Sequence, residues 1–364
     1  MTKARKYGIP FPGKCGTHNS ITDVIGVKVG HTTLIDGEGR LIVGTGPIRT
    51  GVTCILPRGD ETMAIPVYGA YYSLNGNGEM TGCHWIKESG FVSGPIMITN
   101  THSVGAVHEA TIAYIVEKTG GELWSLPVVA ETWDGFLNDI NGFHVRREHV
   151  FSAIQSASDG DVVEGNVGGG TGMICHQFKG GIGTSSRIIN IEQNEYTVGV
   201  LVQANYGYRE SLTIAGIPIG EFITDRLPTK SSPDQGSIIV IVATDAPLLP
   251  HQLDRLVRRV PLGIAKVGGF GGNSSGDIFL AFSTANKQAI SSLDGDTTGN
   301  QPFSLKNSLM DRLFEGVVHA TEEAIVNCLF AAKTMIGIDG NCVMELPVDE
   351  VIQILHDHKR LKEQ

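Results

Sequence analysis

No two of the six cysteines, Cys15, Cys54, Cys83, Cys175, Cys328 and Cys342, stand at CxxC spacing. The usual signatures of a zinc site or a redox pair are therefore missing. No group of His, Cys and Asp has metal-ligand spacing either, so neither a metal nor a cofactor is expected. Several of the cysteines sit in apolar surroundings and read as small buried hydrophobes. No apolar run is long enough to cross a bilayer. Residues 1–16 carry basic side chains but no apolar segment of the signal-peptide kind. The expected location is cytoplasmic, unless a leader has been removed. Net charge is −10 with no basic stripe, which argues against nucleic acid and anionic membranes as partners.

Glycine is plentiful, with 47 residues spread along the chain without a period. Tight turns and close backbone packing explain that pattern better than disorder does. Residues 1–20 read as a Pro/Gly-rich arm on the surface. Strands are expected near 24–35, 51–57, 62–67, 95–100, 126–132, 184–192, 196–205, 237–244, 278–282 and 341–345. Helices are expected at 104–118, 147–157, from 245 to Pro261, at 304–336 and at 348–361. His31 reads as a turn hydrogen-bonder. The glycine-laced run Asn75-Gly76-Asn77-Gly78 lacks the Lys and Ser/Thr of a phosphate loop, and no helix pattern follows Asn166-Val167-Gly168-Gly169-Gly170-Thr171-Gly172-Met173, so both read as plain loops. No βαβ repeat and no linker divides the chain, so one layered α+β domain over 1–364 is expected. The exception is the long, mostly polar connection 206–236, since a loop of that length is usually functional or disordered.

That connection stops at a single Gly236–Ser237 bond, beyond which Ile238-Ile239-Val240-Ile241-Val242 is almost wholly β-branched. Such a run is a buried strand, with Ser237 at its mouth. Cutting the bond would leave Ser237 with a hydroxyl and a free α-amine of pKa about 7.7–8.0. Nucleophile and base would then share one residue. By itself, a Gly-Ser dipeptide before a strand is an ordinary turn. Other polar residues also fall at expected strand ends: Glu131 with Trp133, Asn205, Ser275 and Asp277. Ser275 and Asp277 stand two apart, on one side of an extended chain, placed to orient a base as the third group of a triad does. Alone, Ser-Gly-Asp is a common turn.

Taken in order, these stretches resemble the self-processing aminopeptidases that include L-aminopeptidase D-Ala-esterase/amidase and the β-peptidyl aminopeptidases. The resemblance rests on Ile21-Thr22-Asp23-Val24 through Val29-Gly30-His31, Arg49-Thr50-Gly51-Val52-Thr53, Ala130-Glu131-Thr132-Trp133-Asp134-Gly135, Val202-Gln203-Ala204-Asn205-Tyr206-Gly207, Gly236-Ser237 with Ala243-Thr244-Asp245-Ala246-Pro247, and Ser275-Gly276-Asp277. It implies an αββα sandwich like that of the N-terminal-nucleophile (Ntn) hydrolases, with different connectivity. It also implies a precursor cut at Gly236–Ser237 into 1–236 and 237–364, which stay associated, and a homo-oligomer (a tetramer of processed units). Ser237 would be the nucleophile of maturation and of turnover, and Asn205 the oxyanion donor. Ser275 and Asp277 would hold and tune the Ser237 amine, and Glu131 would bind the ammonium of a small peptide, amide or ester substrate. Two positions depart from the family pattern. Asp277 replaces a longer Glu, and Trp133 replaces a Tyr whose hydroxyl would help the oxyanion. Two other readings stay open: an Ntn amidohydrolase acting on a non-peptide compound, which would not need Glu131, and an uncleaved, non-catalytic scaffold of the same fold.

Overall fold

The computed structural model describes residues 3–229, 236–287 and 301–362. In chain order the strands that frame the site are β1 (Lys28–Asp36), β2 (Ile48–Leu56), β3 (Val67–Ser73), β4 (Phe91–Val92), β5 (Ile96–Asn100), β6 (Val128–Thr132), β7 (Ile174–Cys175), β8 (Phe178–Lys179), β9 (Gly181–Ile191), β10 (Asn194–Asn205), β11 (Ser237–Thr244) and β12 (Ile278–Ser283). One sheet has the order β1-β2-β5-β6, and the other has the order β4-β3-β12-β11-β10-β9. The pairs β5/β6 and β11/β12 are parallel, and the remaining ladders of the two sheets are antiparallel.

Side-chain alternation divides the apolar residues into three layers. Along β11, Ile238, Val240 and Val242 join a core with Leu253, Leu256, Val260, Leu313, Val317 and Ala324 from the helices Pro250–Val257, Val260–Lys266 and Asp311–Ala331. Ile239, Ile241 and Ala243 face the other way, against Ile55, Ile96, Ile98 and Ala130 of the smaller sheet. Val52, Cys54, Met97 and Val129 cover the far side of that sheet, beneath the helices Val104–Thr119 and Arg147–Gln155. The result is helix, sheet, sheet, helix. It explains why β11 reads as an unbroken apolar run, since both its faces are covered. Gly183 lets the helix Asp311–Ala331 approach β9 closely; a Cβ there would lie 2.0 Å from the Ala324 carbonyl oxygen.

Several expectations need correction. The third strand is Val67–Ser73, not 62–67, because Ala64 and Ile65 donate back to Glu61 O and wind that segment into a turn. The first residues do not lie on the surface: Ala4, Ile9 and Phe11 are buried, and the Arg5 guanidinium pairs with Glu323. His31 lies within β1 opposite Thr53, with its Nδ1 3.0 Å from Thr53 Oγ1. The long helix is Asp311–Ala331, shorter at both ends than 304–336, and Ala332 is already extended. Pro261 falls in the first turn of Val260–Lys266, where its missing N–H costs nothing, and does not end a helix. The connection after β10 is folded, with Leu212, Ile214, Ile219 and Ile223 buried in the helix-side core. Residues 230–235, in the expected 206–236 connection, and 288–300 lie outside the described residues. Among the described residues no helix is long and apolar enough to cross a membrane.

Candidate active site

Ser237 opens β11 directly opposite Asn205, the last residue of β10. Both share the parity of Ile239 and Leu201, so they lie on the face between the sheets. β12 begins at the same end of the sheet, and the Ser275-Gly276-Asp277 turn leads into it. Gly276 N donates to Ser237 Oγ at 3.0 Å, so the hydroxyl oxygen is held while its own proton remains to be given away. Asp277 Oδ1 accepts from Ser275 Oγ at 2.6 Å and from Ile238 N at 3.2 Å, beside the junction. Ser237, Ser275 and Asp277 are all buried. The glycine before Ser237 has a steric reason. A Cβ at Gly236 would lie 2.3 Å from the Asn205 carbonyl oxygen and 2.5 Å from Tyr206 Cα.

Asn205 is oriented by two partners that each have a single role. Its Oδ1 accepts from Ile174 N at 2.8 Å, and its Nδ2 donates to Trp133 O at 3.0 Å. A main-chain N–H only donates and a carbonyl only accepts, so the amide cannot be reversed without losing both bonds. One Nδ2 proton is left over. Trp133 reaches this cluster through its carbonyl, whereas its indole folds over Gly135.

Glu131 is the last but one residue of β6, in the smaller sheet, and is only 3% exposed. Its Oε1 accepts from Glu79 N at 2.9 Å, and its Oε2 accepts from Thr101 Oγ1. Burial raises its pKa, a shift these two bonds partly oppose. An added Cβ at Gly78 would stand 3.2 Å from both Glu131 Oε1 and Gly276 Cα. The carboxylate therefore lies one glycine away from the loop that holds Ser237. A narrow cleft lined by Tyr206, Gly207, Phe270 and Gly272 opens on Ser275 and Asp277.

The structure thus gathers Ser237, Asn205, Ser275, Asp277, Gly236 and the Trp133 carbonyl at one sheet end, with Glu131 next to them. The reading as a plain loop missed Asn75. Its Oδ1 accepts from Asp277 N at 2.6 Å, and its Nδ2 donates to Gly272 O at 3.2 Å. The paired Asn-Gly repeat signals a turn, but nothing local says what the Asn side chains reach. Thr101 also escaped notice, because it touches Glu131 from a different strand end. The second glycine-rich run is buried between the sheets: a Cβ at Gly169 would meet Gln203 Oε1 at 2.3 Å and Ile98 O at 2.7 Å, leaving no room for an anion.

An αββα sandwich of this kind defines an Ntn-type hydrolase. The same fold occurs in L-aminopeptidase D-Ala-esterase/amidase from Ochrobactrum anthropi, described as a prototype for the serine aminopeptidases and a new variant among the Ntn hydrolase fold. That structure superposes with a TM-score of 0.93 at 44% identity, covering 100% of both chains. The β-aminopeptidase of a Burkholderia species superposes with a TM-score of 0.89 at 46% identity, covering 98% of this chain and 99% of that one. The β-peptidyl aminopeptidase BapA of Sphingosinicella microcystinivorans is 49% identical over 372 residues, spanning 99% of this chain and 93% of the relative. Residues 19–343 match peptidase family S58, and the chain belongs to that family. It is a hydrolase of the aminopeptidase class.

Proposed function

We propose that this protein matures by cutting itself at Gly236–Ser237 and then removes N-terminal residues from small peptides, amides or esters. The observation that carries this reading is the pairing of Ser237 with Asn205 across β11 and β10, with Gly276 N on the Ser237 hydroxyl. In maturation Ser237 Oγ attacks the Gly236 carbonyl carbon. The Gly236–Ser237 C–N bond breaks and leaves an ester on Oγ. Water hydrolyses that ester to a Gly236 carboxylate and a free Ser237, giving fragments 1–236 and 237–364. In turnover the neutral Ser237 amine takes the proton from its own Oγ as Oγ attacks the substrate carbonyl. The same amine then protonates the leaving group, and water hydrolyses the acyl ester left on Oγ, releasing the N-terminal residue and restoring the hydroxyl. The spare Asn205 Nδ2 proton stabilises the oxyanion.

Ser275 and Asp277 hold the new amine near the position that Ile238 N and Ser237 now occupy. Glu131 pairs with the substrate ammonium, which restricts cutting to the amino end. Asp277 and Trp133, the two departures from the family pattern, bear on rate and on substrate size. The names of two relatives make β-amino-acid amides the first substrates to try beside L- and D-α-amino-acid amides. A homo-oligomer of processed units, tetrameric by resemblance, and a cytoplasmic location belong to the same proposal. Intact-mass analysis tests the core of it. The native protein should give two chains, the second beginning at Ser237, and Ser237→Ala should stay full-length, folded and inactive. Cleavage that persists in Ser237→Ala excludes this mechanism.

A further inference from the structure

Behind the candidate oxyanion donor lies a fully buried lysine for which the proposed mechanism has no use. Lys179 Nζ donates to Met173 O at 2.6 Å and to Gly180 O at 2.9 Å. Met173 O and Ile174 N are the two ends of one peptide group. Ile174 N in turn donates to Asn205 Oδ1 at 2.8 Å. A cation, a peptide and a side-chain amide therefore stand in one line, ending at the Asn205 Nδ2 protons. Hydrogen bonds in such chains polarise one another, most strongly where water is excluded. Burying an ammonium is costly, and holding two carbonyls needs only a neutral donor, so packing alone does not call for a charge here.

We infer that Lys179 is a positioning residue for the oxyanion site: its ammonium polarises the Met173–Ile174 peptide, which orients the Asn205 amide and makes its N–H a stronger donor. The inference rests on the reading of Asn205 as oxyanion donor. The charge is also conditional on pH. Burial pulls the Lys179 pKa down to about 7. The groups facing it are Cys175 of β7 and Cys328 of the helix Asp311–Ala331, whose thiols burial keeps protonated, and Asp134 of the turn after β6, whose carboxylate favours the charged form. As pH rises through that value the ammonium is lost and the chain is no longer polarised.

The test uses matured protein and a free-amine amino-acid p-nitroanilide, with kcat and KM measured across pH for wild type, Lys179→Met and Asn205→Ala. Lys179→Met keeps the length and removes the charge. Its kcat should fall roughly tenfold with KM unchanged, less than the ~10²–10³ that losing an oxyanion donor costs. The wild-type kcat should decline on the alkaline side, and that limb should be absent from Lys179→Met. A folded Lys179→Met with wild-type kcat, or with the alkaline limb intact, overturns the inference. If Lys179→Met does not fold, the wild-type profile decides. A wild-type kcat that rises as the Ser237 amine loses its proton, at about 7.7–8.0, and then holds level to the ordinary lysine range at about 10.4 overturns it too. Asn205→Ala separates the two levels: if it is also fully active, the oxyanion reading fails, whereas its inactivity beside an active Lys179→Met removes Lys179 alone.

Discussion

Under the proposed mechanism Glu131 has a task in turnover and none in maturation, because the precursor's scissile bond has no ammonium beside it. Its carboxylate already holds Glu79 N and Thr101 Oγ1, and burial penalises its charge. A substrate ammonium would relieve that penalty through a charge-assisted bond, about twice as strong as a neutral one. Glu131→Gln should therefore mature normally at Gly236–Ser237 but lose kcat/KM on free-amine substrates. The loss should be on the order of 2–5 kcal/mol, or roughly thirty- to several-thousand-fold. N-acetylated substrates should be poor for both forms. Wild-type kinetics in Glu131→Gln would place the ammonium site elsewhere. Asn75 tests a different link. It holds the main chain of Asp277, so Asn75→Ala should slow maturation and turnover together. An effect confined to KM would show that Asn75 does not set the geometry of the nucleophile.

At the scale of the element, the site exists because β10 ends where β11 begins and β12 starts alongside in parallel. The three strand ends converge: Asn205 closes β10, Ser237 opens β11, and Ser275 and Asp277 stand just before β12. Gly236 is the tightest point of this arrangement, pressed on the Asn205–Tyr206 backbone. Gly236→Ala would force those backbones apart just where Asn205 and Ser237, the proposed oxyanion donor and nucleophile, face each other. Slowed or abolished cleavage, read as the full-length band on a denaturing gel over time, is the expected outcome. Maturation at the wild-type rate would mean that the junction rearranges before it reacts. The second element-scale feature is the β7–β8 hairpin. It supplies Ile174 N to Asn205 and Lys179 to the carbonyl behind it, so a two-stranded hairpin sets the orientation of the amide.

For the whole molecule, the sheet order predicts how fragments 1–236 and 237–364 would behave after the proposed cleavage. β11 and β12 belong to 237–364, yet they lie between β3 and β10, which belong to 1–236. Separating the fragments would break both the β10/β11 and the β3/β12 ladders and lift the helix Asp311–Ala331 off β9 and β10. The cut protein should therefore run as one species in native mass spectrometry and as two bands in denaturant. The fragment 237–364 expressed alone should not fold, since its two central strands would expose both outer edges and the apolar face that packs on the smaller sheet. A soluble, folded 237–364 fragment, or dissociation on cleavage, would show that the interface holds less than the topology implies.

Much of this was readable in residue order. The unbroken β-branched run after Ser237 marks a strand covered on both faces, because period-two alternation disappears when both sides are apolar. Polar residues bounding apolar runs, Asn205 at the close of one and Ser237 and Asp277 at the opening of two others, mark strand ends, and the order of the motifs carries the family. Other features depend on contacts between residues far apart in the chain. The arm 1–20 looks like surface by composition, but three apolar side chains and the Arg5–Glu323 pair pull it into the core. The 206–229 segment looks polar on average, but its few isoleucines and Leu212 all point one way once β10 fixes its start. Asn75, Thr101 and Lys179 carry no local signal at all. Their meaning comes from what lies opposite them, and that is decided only when strands separated in the chain come together: β3 with β12, β5 with β6, and β10 beside the β7–β8 hairpin.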